Sequence, residues 1–300
     1  MEAVEKPSFP PYLILFLGVI SFSFAAILIR LSTAPSIIIA FYRLFLSVVI
    51  LLPYVLLKHR QELRALTRGH IVFSLLSGFF LALHFYSWIA SLEHTSVTNS
   101  VVLVSIHPIL VALIAALFFG EVLNRSMVLG VIVAILGSGL VGAGGLSLES
   151  GSTLRGDLLA LLGAVMMAGY IIIGSRLRKT LSIFPYVLIT YGSASLYLLI
   201  FILFNQVSMV GYPGIDYLYF LLLALGPTVF GHTSFNWALK YLPSSHVSVS
   251  YLGEPVGSSF LALLIFQEAP PPVALLGGIM VLSGLYLTIR RGGRRSTQAS

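Results

Sequence analysis

The sequence predicts an all-α membrane protein of about ten transmembrane helices, arranged as two five-helix repeats that enter the membrane from opposite sides. Three observations predict it. Hydrophobic residues fill 58% of the 300 positions and charged residues only 9%. Apolar runs of about 20 residues, the length that crosses a bilayer, follow one another with short polar breaks. A pattern of proline, glutamate and glycine recurs at a fixed distance in the second half of the chain. Soluble domains carry about 25% charged residues, and the mean hydropathy here is +1.00. Lipid is the solvent that such a surface fits.

Apolar spans are expected at 11–31, 35–57, 70–92, 97–119, 126–145, 157–176, 184–205, 216–239, 245–267 and 272–290. The runs are long and do not alternate, whereas barrel strands need only about ten alternating residues. The first run, from Tyr12 to Leu31, has neither a basic region before it nor a clear small-residue cleavage site, so it reads as a retained helix. Basic residues set the orientation. With the N-terminus inside, the inner segments hold Lys6, Lys58, Arg60, Arg64, Arg68, Arg125, Arg176, Arg178, Lys179, Lys240, Arg290, Arg291, Arg294 and Arg295, and the outer segments hold only Arg30 and Arg155. Short cytoplasmic loops show this excess, so both termini are expected in the cytoplasm. The same bias explains the net charge of +7 without nucleic acid. With no cysteine, the chain has no disulfide, thiolate metal site or cysteine nucleophile.

Pro108, Glu121, Gly130 and Gly137 match Pro255, Glu268, Gly277 and Gly284, each 147 residues later. The expected units are residues 1–146, residues 147–291 and a basic cytoplasmic tail over 292–300. Five spans per unit is an odd number, so the second unit is inverted. Inverted repeats characterise secondary transporters, whose solute site lies at mid-membrane between the halves. The glycines, with Ser138 and Gly139 beside Gly137, also suit close helix approach.

The ends of the two halves read VSIHPILVALIAALFFGE and VSYLGEPVGSSFLALLIFQE, each followed by a glycine-rich helix, and the second span contains AFYRLFLS. In these motifs, and over nearly its whole length, the chain resembles the drug/metabolite transporter superfamily, in the ten-helix branch built from two EamA domains. The resemblance implies two inverted five-helix repeats and export of metabolites such as amino acids. It also implies that Glu-Pro at 254–255 is the family's usual pair, while His-Pro at 107–108 is a departure that bears on specificity.

A charge at mid-bilayer costs about 3 kcal/mol on insertion scales, so polar residues inside spans are candidates for a solute pathway. Arg43 in span two suits an anionic group of a solute, or else a structural pairing with Glu254. Val247, Tyr251, Glu254 and Ser258 would share one face of a continuous ninth span. His107 and Glu254 occupy equivalent places and both titrate, which makes them candidates for proton coupling. His84 and Trp88 in span three match His232 and Asn236 in span eight, 148 residues on. Pro108 and Pro255 are expected to kink spans four and nine. Tyr42 and Tyr191 read as packing residues.

No phosphate-binding loop, hydrolase elbow, metal motif or acidic diphosphate cluster occurs, so no catalytic residue, cofactor or metal is expected. The expectation is a non-enzymatic secondary transporter of small metabolites in the cell membrane, working by alternating access. It would be a monomer, with a small-molecule substrate and the lipid bilayer as its partners. The alternative is a membrane-embedded enzyme acting on lipid or isoprenoid substrates.

Overall fold

A computed structural model describes residues 7–91, 94, 100, 103–104, 106–120, 125–143, 154–267 and 272–290. The repeated glutamates Glu121 and Glu268, the boundary near 146 and the tail over 292–300 lie outside the described residues.

The secondary structure of the described residues is helical. In order they form α1 (Pro11–Leu31), α2 (Ser36–Lys58), a short α3 (Arg60–Arg64) and α4 (Arg68–Ser91), then α5 (His107–Phe119) and α6 (Arg125–Ala143). The second half holds α7 (Leu154–Leu177), α8 (Ile183–Phe204), α9 (Gly214–Leu223), a π-helical segment (Ala224–His232) and α10 (Thr233–Ala238). It ends with α11 (Ser244–Ser250), α12 (Gly253–Phe266) and α13 (Pro272–Arg290). Six helices are long and apolar enough to cross a membrane, namely α1, α2, α4, α7, α8 and the run Gly214–Ala238. Shorter apolar helices occupy the places expected for spans four, five, nine and ten. Helices suit lipid because each satisfies its own backbone donors and acceptors. Proline marks several starts: Pro11 opens α1, and Pro35, Pro213 and Pro243 directly precede α2, α9 and α11. Proline lacks the N–H that a first turn leaves unpaired anyway.

The ninth span is not one continuous helix. It breaks at Tyr251 and Leu252, between α11 and α12. Pro255 therefore does not bend a continuous helix; most of the stretch before Pro108 lies outside the described residues, and Pro108, like Pro255, opens a helix. Each sits in the first turn of a new helix, where a missing donor costs nothing. Helices α5 and α12 end alike, on a left-handed residue: Gly120 (φ 65°) and Gln267 (φ 57°).

The contacts between the halves come in exchanged pairs. Helix α4 of the first half packs on α7 and α8, and the π segment of the second half packs on α1 and α2. Helix α5 lies on α7 as α12 lies on α1, while α2 meets its counterpart α8 and α6 meets α13. This is the pattern a two-fold axis in the membrane plane produces. The main buried cluster runs through α1, α2, α4, α7 and α8, and a smaller one joins α6 and α13 through Val131, Ala134, Ile135 and Val281. Outward faces are apolar as well: Phe16, Leu57, Phe118, Leu136 and Phe204 are all exposed. That is the inverse of a soluble surface and fits acyl chains.

At one end of the bundle lie His59, Arg60, Arg64, Arg176, Lys179 and Lys240, and we call it the basic end. There Glu62 takes the Ser182 N–H at 2.8 Å and the Ser182 hydroxyl at 2.5 Å, with His59 Nδ1 at 3.3 Å and the Arg178 charge nearby. Burial pushes the Glu62 carboxyl up, but the bonds from Ser182 and His59 outweigh it, and the pKa ends below its ordinary value. A lowered folded-state pKa contributes stability above the unfolded value, and that stability is lost as pH falls through the folded one. Thermal unfolding in detergent at a series of pH values checks this. The parent should exceed Glu62→Gln by a constant margin above about pH 5, and the margin should close on acidification through the carboxylate range.

Candidate functional site: a buried polar centre between the halves

Arg43 is fully buried on α2. Its Nε donates to Thr228 Oγ1 at 3.1 Å, and its guanidinium carbon lies 4.3 Å over the Phe85 ring. Both terminal nitrogens, Nη1 and Nη2, have no hydrogen-bond partner. The arrangement is set by the π segment. Pro227 lacks the N–H of a regular α turn, the ladder widens, and Thr228 Oγ1 donates back to Leu223 O, five residues earlier, at 2.9 Å. Widened turns of this kind gather at functional sites. Here the turn presents Thr228 to Arg43 and ends on His232. Ser47 donates to Ala224 O at 3.2 Å and fixes α2 against the same segment.

His232 is 1% exposed, and its Nε2 has no partner. Its ring meets Phe22 edge-on at 4.6 Å and Phe85 at 5.4 Å, and its Nδ1 is 3.4 Å from the Tyr251 hydroxyl. Tyr251, at the break in span nine, stacks on Phe235 at 3.9 Å and meets the His107 ring at 5.8 Å. His107 Nδ1 is 3.0 Å from Val104 O, which makes it the donor, and its Nε2 is unpaired. His84 is fixed by Gly163 O at 2.9 Å and stacks with Trp88 at 6.1 Å, and the buried Trp88 Nε1 is unpaired. Asn236 donates to Tyr170 Oη at 2.5 Å and to His232 O at 2.9 Å. Arg43 and Glu254 feel each other's charge, yet neither Nη atom reaches a hydrogen bond. The structural pairing considered for them is therefore not a hydrogen-bonded ion pair.

The residues singled out in the sequence thus converge, with one division. His232 and Glu254 lie within electrostatic reach of Arg43, His107 and His232 both meet Tyr251, and Asn236 joins His232 through Tyr170, while His84 and Trp88 form a separate stack. Of the stripe expected on span nine, Ser258 is diverted to Ser23 O at 3.0 Å, because the helix break turns α12 against α1. Donors with no acceptor in a sealed apolar setting cost energy unless a ligand completes them. The arrangement suits a small planar anion on the guanidinium, with its body among aromatic rings. Among the described residues, no group of three His, Asp or Glu side chains converges to hold a metal.

The model of the EamA-like transporter family matches residues 9–143 and again residues 154–290. The chain belongs to the EamA-like transporter family. This EamA-like transporter is accordingly a multi-pass membrane protein with two copies of the family unit. It is 28% identical over 274 residues to an uncharacterized transporter of Archaeoglobus fulgidus, covering 89% of this chain and 92% of that one. It is 26% identical over 209 residues to a probable terminal-alkyne amino-acid exporter of Streptantibioticus cattleyicolor, 69% of each chain. A solved crystal structure shares the fold, with TM-score 0.79 and 19% identity over 93% of this chain and 96% of that one.

Sequence reasoning missed Tyr170, Tyr191 and Thr228. Tyr191, read as packing, is 3.3 Å from Thr233 Oγ1 and 3.4 Å from Asn236 Nδ2. The signal was available. Tyr191 lies 148 residues after Arg43, and Tyr170 lies 148 after Phe22, the same interval that relates His84 to His232. Thr228 had no such signal, because it depends on the widened turn.

Proposed function

We propose that this EamA-like transporter exports amino acids or closely related carboxylates across the cytoplasmic membrane by alternating access, catalysing no reaction. One observation carries the reading: a fully buried guanidinium whose two terminal nitrogens have nothing to bond. A carboxylate matches that fork with two parallel charge-assisted bonds. The Glu254 carboxylate, within electrostatic reach of Arg43, complements the ammonium of the same zwitterion. Phe22, Phe85 and Tyr251 supply an apolar wall for its side chain. The amino-acid exporter among the relatives supports the solute class.

In this reading ten spans form two inverted units, residues 1–146 and 147–291. The basic end and both termini face the cytoplasm, and one chain is sufficient. His107 and Glu254, at equivalent places in the two units, carry the driving proton.

Two measurements test it. Purified protein in liposomes should exchange labelled for unlabelled amino acid in counterflow. The same solutes should raise its thermal stability in detergent, because they bind only the folded state. No exchange and no stabilisation across a panel of amino acids would end the reading. His107→Ala should keep counterflow, which needs no gradient, and lose accumulation driven by a proton gradient, whereas Glu254→Gln, which also removes the partner of the solute's ammonium, should weaken both. Unchanged accumulation in both removes the coupling role.

A further inference from the structure

Two carboxylates, at opposite ends of the bundle, make the same unusual contact. Asp216, in the first turn of α9, takes the Thr33 N–H on Oδ1 at 2.9 Å and the Thr33 hydroxyl on Oδ2 at 2.8 Å. Glu62 takes the N–H and hydroxyl of Ser182 in the same two-pronged way. Thr33 lies in the link between α1 and α2, and Ser182 in the corresponding link between α7 and α8. Each contact therefore joins one half to the other. The acid comes from the second half in one case and from the first half in the other.

The two contacts flank α2, so roughly the length of a 23-residue helix, about 35 Å, separates them. Arg43 lies between. Each end has a neutral tie as well: Tyr42 Oη donates to Met209 O at 2.9 Å near the Asp216 end, and Tyr12 Oη is 2.9 Å from His246 Nδ1 at the basic end. Only the carboxylate contacts put a full charge on a backbone N–H and a hydroxyl at once, which makes them the stronger ties. Both are closed together here, while the central residues between them are buried.

We propose that Asp216 and Glu62 are the two gating residues of the transport cycle: each latches one end of the pathway shut by seizing a hydroxyl residue of the opposite half, and the cycle opens them one at a time. The inference rests on the alternating-access reading for its purpose, and its geometry stands independently. They are positioning residues, since neither meets the solute at the centre.

The chain contains no cysteine, so a single introduced thiol is the sole reporter. Ala40 on α2 and Val187 on α8 are both 0% exposed, and each lies on its helix between a latch and the centre. In detergent both ends are open to reagent, and alkylation by a charged, water-soluble thiol reagent reads each path separately. Thr33→Val or Asp216→Ala should speed labelling of Ala40→Cys about tenfold or more, the factor for losing one charge-assisted bond, and leave Val187→Cys unchanged or slower. Ser182→Ala or Glu62→Ala should do the reverse. Thr33→Ser and Ser182→Thr keep the hydroxyl and should label at parental rates, as should Tyr42→Phe. The two hydroxyl deletions leave both buried or half-buried acids in place, so they report even if an acid-to-alanine variant does not fold.

Reporters that rise together show general loosening and overturn the proposal, as do reporters that do not respond. Labelling needs no transport, so the two readings fail separately. Divergent reporters with no counterflow would keep the latches and remove the transport assignment. Counterflow with silent reporters would do the opposite.

Discussion

Replacing Arg43 with methionine should abolish solute binding while making the empty protein more resistant to heat. The two effects have one origin. The guanidinium is sealed in the bundle with two of its three nitrogens unbonded, held by Thr228, the Phe85 face and the field of Glu254. Keeping a charge there without full pairing costs energy, and an apolar residue of similar volume in such a place is often neutral or stabilising. A bound carboxylate repays that cost. Charged hydrogen bonds contribute about 1.5–3 kcal/mol each, so losing both bonds of the fork should weaken affinity by roughly a hundredfold to ten-thousandfold or more. Thermal unfolding with and without amino acid reads both quantities: the variant's baseline should be at or above the parent's, and its ligand-induced rise should be gone. Arg43→Lys should not restore binding, because a single ammonium lacks the two-pronged geometry. A methionine variant that still gains stability from the same solutes would show that the carboxylate sits elsewhere.

The second large effect is expected at the seam between α6 and α13. A Cβ on Gly130 would lie 2.6 Å from Gly284 O, and one on Gly284 would run into Gly130 O. A Cβ on Gly137 would lie 2.6 Å from Gly277 O. These neighbours are backbone oxygens, which cannot rotate aside as a side-chain tip can, so the helices must separate. Association in lipid depends on such close packing, and overfilling a packed core costs about 1–3 kcal/mol even for small additions. Gly130→Leu and Gly284→Leu should therefore sharply reduce the folded yield in detergent, and the matching alanine variants should lower the melting temperature by several degrees. Gly192→Ala is the control: its Cβ would meet only Val48 Cγ2 at 3.9 Å, and it should be tolerated. A leucine variant at the seam with parental yield and melting temperature would contradict the packing described here.

Much of this architecture was legible because lipid simplifies the code. Where every backbone group must be satisfied internally, long apolar runs translate into helices, and the expected 11–31, 35–57 and 272–290 fall within two residues of α1, α2 and α13. The repeat pointed to equivalent polar positions, of which His107 and His232 both lie against Tyr251 while Arg43 and Glu254 feel each other's charge. What escaped was whatever depends on local departures from regular helix. The break at Tyr251 and Leu252 is followed by Gly253, Glu254 and Pro255, which the sequence reads as a kink in one helix, so Ser258 was placed on a face it does not keep. The π turn at Pro227 lies inside an unbroken apolar run, so Thr228 went unnoticed as the partner of Arg43. The contacts of Asp216 and Glu62 went unnoticed, because their partners lie 183 and 120 residues away. No periodicity connects residues so distant.

The exchanged contacts of the two halves also bear on thermodynamics. A body whose neighbours swap under a half-turn offers nearly the same scaffold to a solute arriving from either face, so the protein carries no built-in arrow. What distinguishes the faces is a short roster of unlike equivalents: histidine opposite glutamate, arginine opposite tyrosine, phenylalanine opposite tyrosine. In the proposed cycle net flux is then dictated by the solute and proton gradients together, and the same molecule, given a reversed sum, runs in reverse.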